Sequence, residues 1–283
     1  MGASSFIEKA LAGRWIAGSK INDAIAVGKK FNSHGIKVIV NYLGEGLRDK
    51  AQVKDSIRAY NGLILAIRKA DIDAEISVKA SQLGLSISRS LAEKNYSRLV
   101  KVARKSGIFV WLDMEEHRYV DETIGLYKTE LRGGGVGICI QSYLKRSHDD
   151  LRGLVRLKAV VRLVKGAYKT NSRMAYGSRQ MTTENYVRLM TYLFKNADGF
   201  TIATHDLSII EEAIEQNRSY RRNVTYSMLN GIRNAEAVRL AATNKVAVYV
   251  PFGERWLDYA FRRLKEEGHL TLIIRSIFQS QRI

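Results

Sequence analysis

Lysine, aspartate and arginine recur in this chain at one kind of place, the end of short runs of β-branched and aromatic residues. Lys79 closes EISVK, Asp113 closes IFVWLD, Arg162 lies within VVRLV, and Lys165 follows that run. Asn41, Gln141, Thr204 with His205, Ser227 and Tyr249 hold the corresponding places in IKVIVN, VGICIQ, FTIAT, NVTYS and VAVYV. Three cations, a carboxylate and several amide and hydroxyl groups gathered at one mouth make a cradle for an anionic ligand, with arginine suited to planar, bidentate contact. Two more arginines, Arg262 and Arg263, fall in the helical stretch PFGERWLDYAFRRLKEEG, which also carries Tyr259 and Glu266. Their spacing fits a solvated helix face as well as it fits a carboxylate clamp beside the mouth.

Residues so far apart meet only if the backbone repeats an element that delivers each strand end to a common face. Eight runs read as buried strands, at 36–41, 75–79, 108–113, 136–141, 160–164, 200–204, 223–227 and 246–250. Between them apolar residues recur at helical spacing. Leu91, Leu99, Val102 and Ala103 follow Ser88 as N-cap; Tyr186, Leu189, Met190 and Leu193 follow Thr182 or Thr183; Leu207, Ile210 and Ile214 follow Asp206. A strand-to-strand repeat of roughly 30 residues suits a βαβ crossover, so the expected fold is α/β, a closed (βα)8 barrel whose site lies at the strand carboxyl ends. Residues 1–35 read as a helical extension plugging the barrel bottom or packing on its side, and 36–283 as the barrel. No linker divides the chain, and 133–135 reads as a plain loop because no helix N-terminus follows it.

Bulk properties narrow the function. Of 283 residues, 46% are hydrophobic and 26% charged, which excludes disorder. One cysteine, Cys139, allows no internal disulfide and fits a reducing compartment. The five histidines lie too far apart for a local metal motif, so no metal is expected. The longest apolar runs fall short of the ~20 residues that span a bilayer. The start MGASSF has neither a signal-peptide core nor the residue that myristoylation needs. A cytoplasmic protein is expected. The net charge of +18 draws polyanions or an anionic membrane surface. Its carriers are scattered, as in Arg98, Lys101, Arg104 and Lys105, without a nucleic-acid motif, so nucleic acid is not expected.

Seven stretches, in order, resemble the flavin-dependent proline dehydrogenase family: NYLGE (41–45), SVKASQLGL (77–85), LDMEE (112–116), IQSYLKRS (140–147), VVRLVKGAYK (160–169), ATHD (203–206) and YVPFGERWLDYAFRRLKEEG (249–268). RLVKGAY together with RRLxE is the most specific pairing, and the likeness runs from AGRWIAG, near residue 12, to LTLIIRSIF. The resemblance implies a distorted (βα)8 barrel with FAD at the strand carboxyl ends, in agreement with the strand count. It implies that Lys79, Arg262 and Arg263 grip the carboxylate of L-proline, and that Tyr249, Leu229 and Tyr168 line the pyrrolidine ring. Asp113 becomes the partner of Lys79, and Arg162 lies beside the reactive flavin nitrogen. Gln141, Val164, Lys165, Gly166, Ala167, Thr204, His205 and Glu266 match positions that line FAD, and Glu45 with Arg262 forms a gate. The implied reaction takes a hydride from the ring carbon beside nitrogen to FAD and yields Δ1-pyrroline-5-carboxylate, with electrons passed on to a quinone or a partner subunit.

The chain departs from the family pattern at several positions. Ser227 stands where many members have glutamine, Asn41 where an acid is common, Thr170 and Asn171 where an acidic-proline pair is usual, and Phe252 where tyrosine is frequent. These bear on adenine-side contacts and on proline against hydroxyproline. The competing readings are a Schiff-base aldolase using Lys79 or Lys165, and a non-catalytic basic binder of nucleic acid or a membrane surface. LTLIIRSIFQSQRI is then either an amphipathic contact or a helix that closes the barrel.

Overall fold

The computed structural model describes residues 15–168 and 170–255. Eight parallel strands, β1 Lys37–Tyr42, β2 Ala74–Lys79, β3 Val110–Asp113, β4 Val136–Gln141, β5 Val160–Val164, β6 Gly199–Ala203, β7 Asn223–Leu229 and β8 Lys245–Phe252, pair in chain order and close with β8 on β1. The helices are α1 Ile21–Asn32 before β1, then α2 Lys50–Ala70, α3 Arg89–Lys105, α4 Val120–Glu130, α5 Ser147–Arg156, α6 Arg179–Asn196, α7 Leu207–Tyr220 and α8 Asn234–Ala241, one after each of β1 to β7. This is the expected (βα)8 barrel, and every expected strand falls on an observed one with ends displaced by at most a few residues. The stretch after residue 255, with Arg262, Arg263 and Glu266, lies outside the described residues, as do residues 12–14 at the start of AGRWIAG.

Period-two alternation explains both the barrel and its site. Val38, Val40, Ile76, Val78, Leu112, Ile138, Ile140, Val161 and Leu163 join one core with the apolar faces of the helices. The residues between them turn to the barrel axis. Deeper in the barrel these include an apolar layer, with Ile39, Trp111 and Ala247 packed on Phe109 and Tyr249. Nearer the carboxyl ends they turn polar, with Ser77 and Lys79 on β2, Asp113 on β3, Cys139 and Gln141 on β4, and Arg162 on β5. Glu75 closes the amino-terminal end, accepting from Trp111 Nε1 (2.5 Å) and Lys37 Nζ (3.0 Å). Gly137 makes room for that layer, because a Cβ there would overlap the Trp111 ring.

The helix starts show where local signals mislead. Ser88 caps α3 as expected, accepting from Leu91 N–H, and Val102 is exposed instead of facing the core. The cap of α6 is Ser178, which accepts from Met181 N–H, and neither Thr182 nor Thr183 serves. The first turn there, Arg179 to Met181, is solvated and so lacks the apolar periodicity that marks the rest of the helix. Asp206 stands at the N-cap of α7, yet its carboxylate turns to Ser208 and Lys165. The described part of the extension, 15–35, takes the second expected placement and packs on the side of the barrel. Ala17 N–H bonds Pro251 O (2.9 Å) and Gly253 N–H bonds Gly18 O (2.9 Å) at the carboxyl end of β8, and α1 then packs on the sides of β8, β1 and α2.

Gly137→Ala should force Trp111 out of its packed position and lower stability by about 1–3 kcal/mol, the usual range for overpacking. Thermal melting with tryptophan fluorescence reads it, and an unshifted melt would contradict this account of the barrel interior.

Candidate active site

Asp113 is the hub of the polar end of the barrel. One carboxylate oxygen, Oδ1, accepts from Arg162 Nη2 (2.5 Å), Ser77 Oγ (2.8 Å) and, at 3.4 Å, Cys139 Sγ. The other, Oδ2, accepts from Tyr249 Oη (2.8 Å) and lies 3.6 Å from Lys79 Nζ. Groups from β2, β4, β5 and β8 therefore converge on one carboxylate of β3, an arrangement only a closed sheet can build. Burial opposes ionisation of Asp113, but the charges of Arg162 and Lys79 and the bonds from Tyr249 and Ser77 outweigh it and hold the carboxyl below its usual range.

Arg162 is just 3% exposed. Its Nε donates to Cys139 Sγ (3.0 Å), its register neighbour on β4, and Nη2 also reaches Ser77 Oγ (2.9 Å). The guanidinium carbon lies 4.8 Å from the Trp111 ring centroid and 5.4 Å from that of Tyr249, so two π faces and a carboxylate hold the cation. Burial pushes the Cys139 thiol up to about 12, so at neutral pH Asp113 carries the charge that balances Arg162.

The other expected residues fall around this centre. Gln141 is buried, with Nε2 on Met114 O (3.1 Å). Val164 ends β5, and Lys165 turns away from Asp113 to Thr183 Oγ1 and Asp206, each at 3.1 Å. Gly166 takes φ +102, and a Cβ there would meet the Tyr143 ring; Ala167 follows it. Thr204 Oγ1 accepts from Asp206 N–H (3.2 Å), and His205 Nε2 from Leu229 N–H (3.3 Å), joining the ends of β6 and β7. Tyr168 donates to Glu45 Oε2 (3.1 Å), which brings the loop after β5 onto the loop after β1. Asn41 ties β1 to its neighbours, with Nδ2 on Ser77 O and Tyr60 Oη. Ser227 is buried on β7. Among the described residues no cluster of histidine, cysteine and carboxylates could hold a metal ion, and no helix is long and apolar enough to cross a membrane.

Sequence reasoning passed over Ser77, Cys139 and Trp111. The signal was present, since each stands two residues before an expected strand-end group and shares its face. Ser81, Gln82 and Glu115 lay inside quoted motifs without a role, and no periodicity marks them.

Fold and site together define a (βα)8-barrel protein with a cationic, carboxylate-centred cluster at the strand carboxyl ends. The proline dehydrogenase family model matches residues 24–274. "Proline dehydrogenase 1" of Bacillus subtilis subsp. natto is 30% identical over 274 residues, covering 95% of this chain and 91% of that protein. "Proline dehydrogenase" of Deinococcus radiodurans is 33% identical over 266 residues, covering 90% and 86%. Among solved structures, proline utilization A from Bdellovibrio bacteriovorus superposes with a TM-score of 0.87 at 21% identity over 99% of this chain. A Bradyrhizobium japonicum proline utilization A does so at 0.78 and 26% identity over 90%. The chain spans 35% and 31% of those longer proteins. The chain belongs to the proline dehydrogenase family.

Replacing Asp113 with Asn removes the charge balancing a buried arginine, and losses of about 3–5 kcal/mol are typical when one partner of a buried pair is removed. The sign of the pH effect follows from the lowered carboxyl. Asp113 stabilises the fold above its unfolded-state pKa and loses that contribution as pH falls through its folded one. Denaturation at several pH values should therefore show the Asp113→Asn variant weaker at pH 7 and with a shallower acid limb than wild type. Parallel acid limbs would contradict the role given to Asp113.

Proposed function

We propose that this protein is an FAD-dependent proline dehydrogenase, oxidising L-proline to Δ1-pyrroline-5-carboxylate in the first step of proline catabolism. The observation that carries this reading is the convergence of Lys79, Arg162 and Tyr249 on Asp113 at the barrel mouth, in a member of the proline dehydrogenase family. The residues present fit the cofactor. Arg162 Nη1 and Gln141 Oε1 are buried without hydrogen-bond partners among the described residues, so a donor and an acceptor remain for a polar, anionic ligand beside β4 and β5. Val164, Lys165, Gly166, Ala167, Thr204 and His205 complete its lining in this reading, with Glu266 from the stretch after β8. Bound FAD supplies the acceptor for the hydride leaving the ring carbon beside nitrogen.

The chain's own groups bind and orient. Lys79, with Arg262 and Arg263, holds the substrate carboxylate through charge-assisted bonds, and Tyr249, Leu229 and Tyr168 line the pyrrolidine ring. Asp113 fixes Lys79, Arg162 and the Tyr249 hydroxyl at once, so the cations are aimed before substrate arrives. Concentrated positive charge favours the neutral form of the substrate amine, the form that can give up the hydride. Glu45, with Arg262, gates the mouth. Residues 36–283 form the catalytic barrel. The remaining excess of the +18 charge docks a cytoplasmic enzyme on the anionic inner face of a membrane, where a quinone or a partner protein takes the electrons.

Purified protein should be yellow, its flavin band bleached by L-proline without oxygen and restored by added quinone. A colourless protein whose lysine is trapped by borohydride with a carbonyl substrate would replace this reading with the aldolase. Binding to vesicles of anionic lipid should weaken steeply between low and physiological salt, as counterions screen the charge. Salt-independent binding, or none, removes the membrane from the proposal.

A further inference from the structure

The turn after β2 buries more polar groups than proline oxidation, as proposed above, employs. Ser81, Gln82 and Glu115 are nearly or fully buried. A buried carboxylate is costly unless its oxygens are met, and Ser81 meets both oxygens of Glu115. Its N–H donates to Oε1 (2.9 Å) and its hydroxyl to Oε2 (2.5 Å). Burial pushes the Glu115 carboxyl above its usual range, against these bonds. A serine hydroxyl has one proton and two lone pairs, so donating to Glu115 fixes where its lone pairs point. One accepts the N–H of Gly46 (2.8 Å), a residue at φ +62 directly after Glu45.

Gln82 secures the start of the same loop. Its Nε2 donates to Tyr42 O (2.7 Å), and its Oε1 accepts from Tyr60 Oη (3.0 Å) and from the N–H of Lys79 (3.2 Å). Two successive residues thus grip the loop after β1 at both sides of Glu45, and the second also holds the backbone of Lys79. Stabilising the β2 turn needs only the Ser81 N–H bond to Glu115. The hydroxyl extends the contact to a loop of another strand.

We propose that Glu115 acts through Ser81 as a positioning residue, fixing the Gly46 backbone and with it the Glu45 carboxylate at the mouth, so that retention of proline depends on a carboxylate buried behind the β2 turn. The proposal rests on the reading of Glu45 as a gate. The discriminating variant is Ser81→Ala in the full, FAD-loaded chain, which keeps the backbone bond to Glu115 and removes the link to Gly46. Amide hydrogen exchange in the segment 43–48 should quicken about fivefold, roughly the worth of one hydrogen bond, and the KM for proline should rise by a similar factor with kcat within about twofold. Ser81→Thr should restore both, and in a Glu45→Ala background Ser81→Ala should leave KM unchanged. Should Ser81→Ala not fold, Glu115→Gln takes its place with the same expected exchange and KM changes. Unaltered exchange at 43–48, a proportional fall of kcat, or an undiminished KM effect without Glu45 overturns the proposal. Absence of proline oxidation in the wild type instead sinks the assigned function, while exchange at Gly46 still decides whether the relay exists.

Discussion

The ion pair between Arg162 and Asp113 is the constraint around which the mouth of this barrel is organised. A guanidinium 3% exposed is tolerable only where its charge is balanced, and here Nε and Nη2 are also met. Meeting them draws a carboxylate from β3, a hydroxyl from β2, a thiol from β4 and the aromatic faces of Trp111 and Tyr249. Each contact crosses between strands, so the pair also reports barrel closure. Removing either member of the pair leaves a charge in a place with little water to receive it.

That constraint produces a site with its electrostatics built in. Asp113 spends one oxygen on Arg162 and Ser77 and the other on Tyr249 and Lys79, so a single group orients both the cation beside β5 and the cation beside β2. Two cations share the one carboxylate of Asp113, an arrangement suited to holding a substrate carboxylate while a neighbouring ammonium gives up its proton. Lys165 lies outside this arrangement, balanced by Asp206 and Thr183, and serves the edge between β5 and β6. The net charge of +18 thus has a few inward members of defined partnership and a larger, scattered surface remainder.

Loops bring a second level of order. Tyr168 reaches Glu45, Thr170 Oγ1 lies 3.0 Å from His117 Nδ1, and Lys145 N–H bonds Met174 O, so the segment after β5 touches the loops after β1, β3 and β4. The turn after β2 secures the opposite side through Ser81 and Gln82. Strands place the charged groups, and these cross-loop bonds set the rim.

Much of the fold was legible because strands buried on both sides need unbroken β-branched and aromatic runs, and VVRLV or VGICIQ reads as a strand wherever it occurs. Asp113, Lys79 and Arg162 stood out because a charge inside such a run is expensive without a purpose. Ser77 and Cys139 did not, being small and compatible with mere packing, and Ser178 was hidden by the solvated first turn of α6. The sequence by itself determined which side chains face the axis, since alternation is local and has period two. Only the tertiary structure decided which of them touch. Register and closure alone bring Arg162 of β5 within reach of Asp113 on β3 and Ser77 on β2, and no local pattern encodes the distance between strands that are not neighbours.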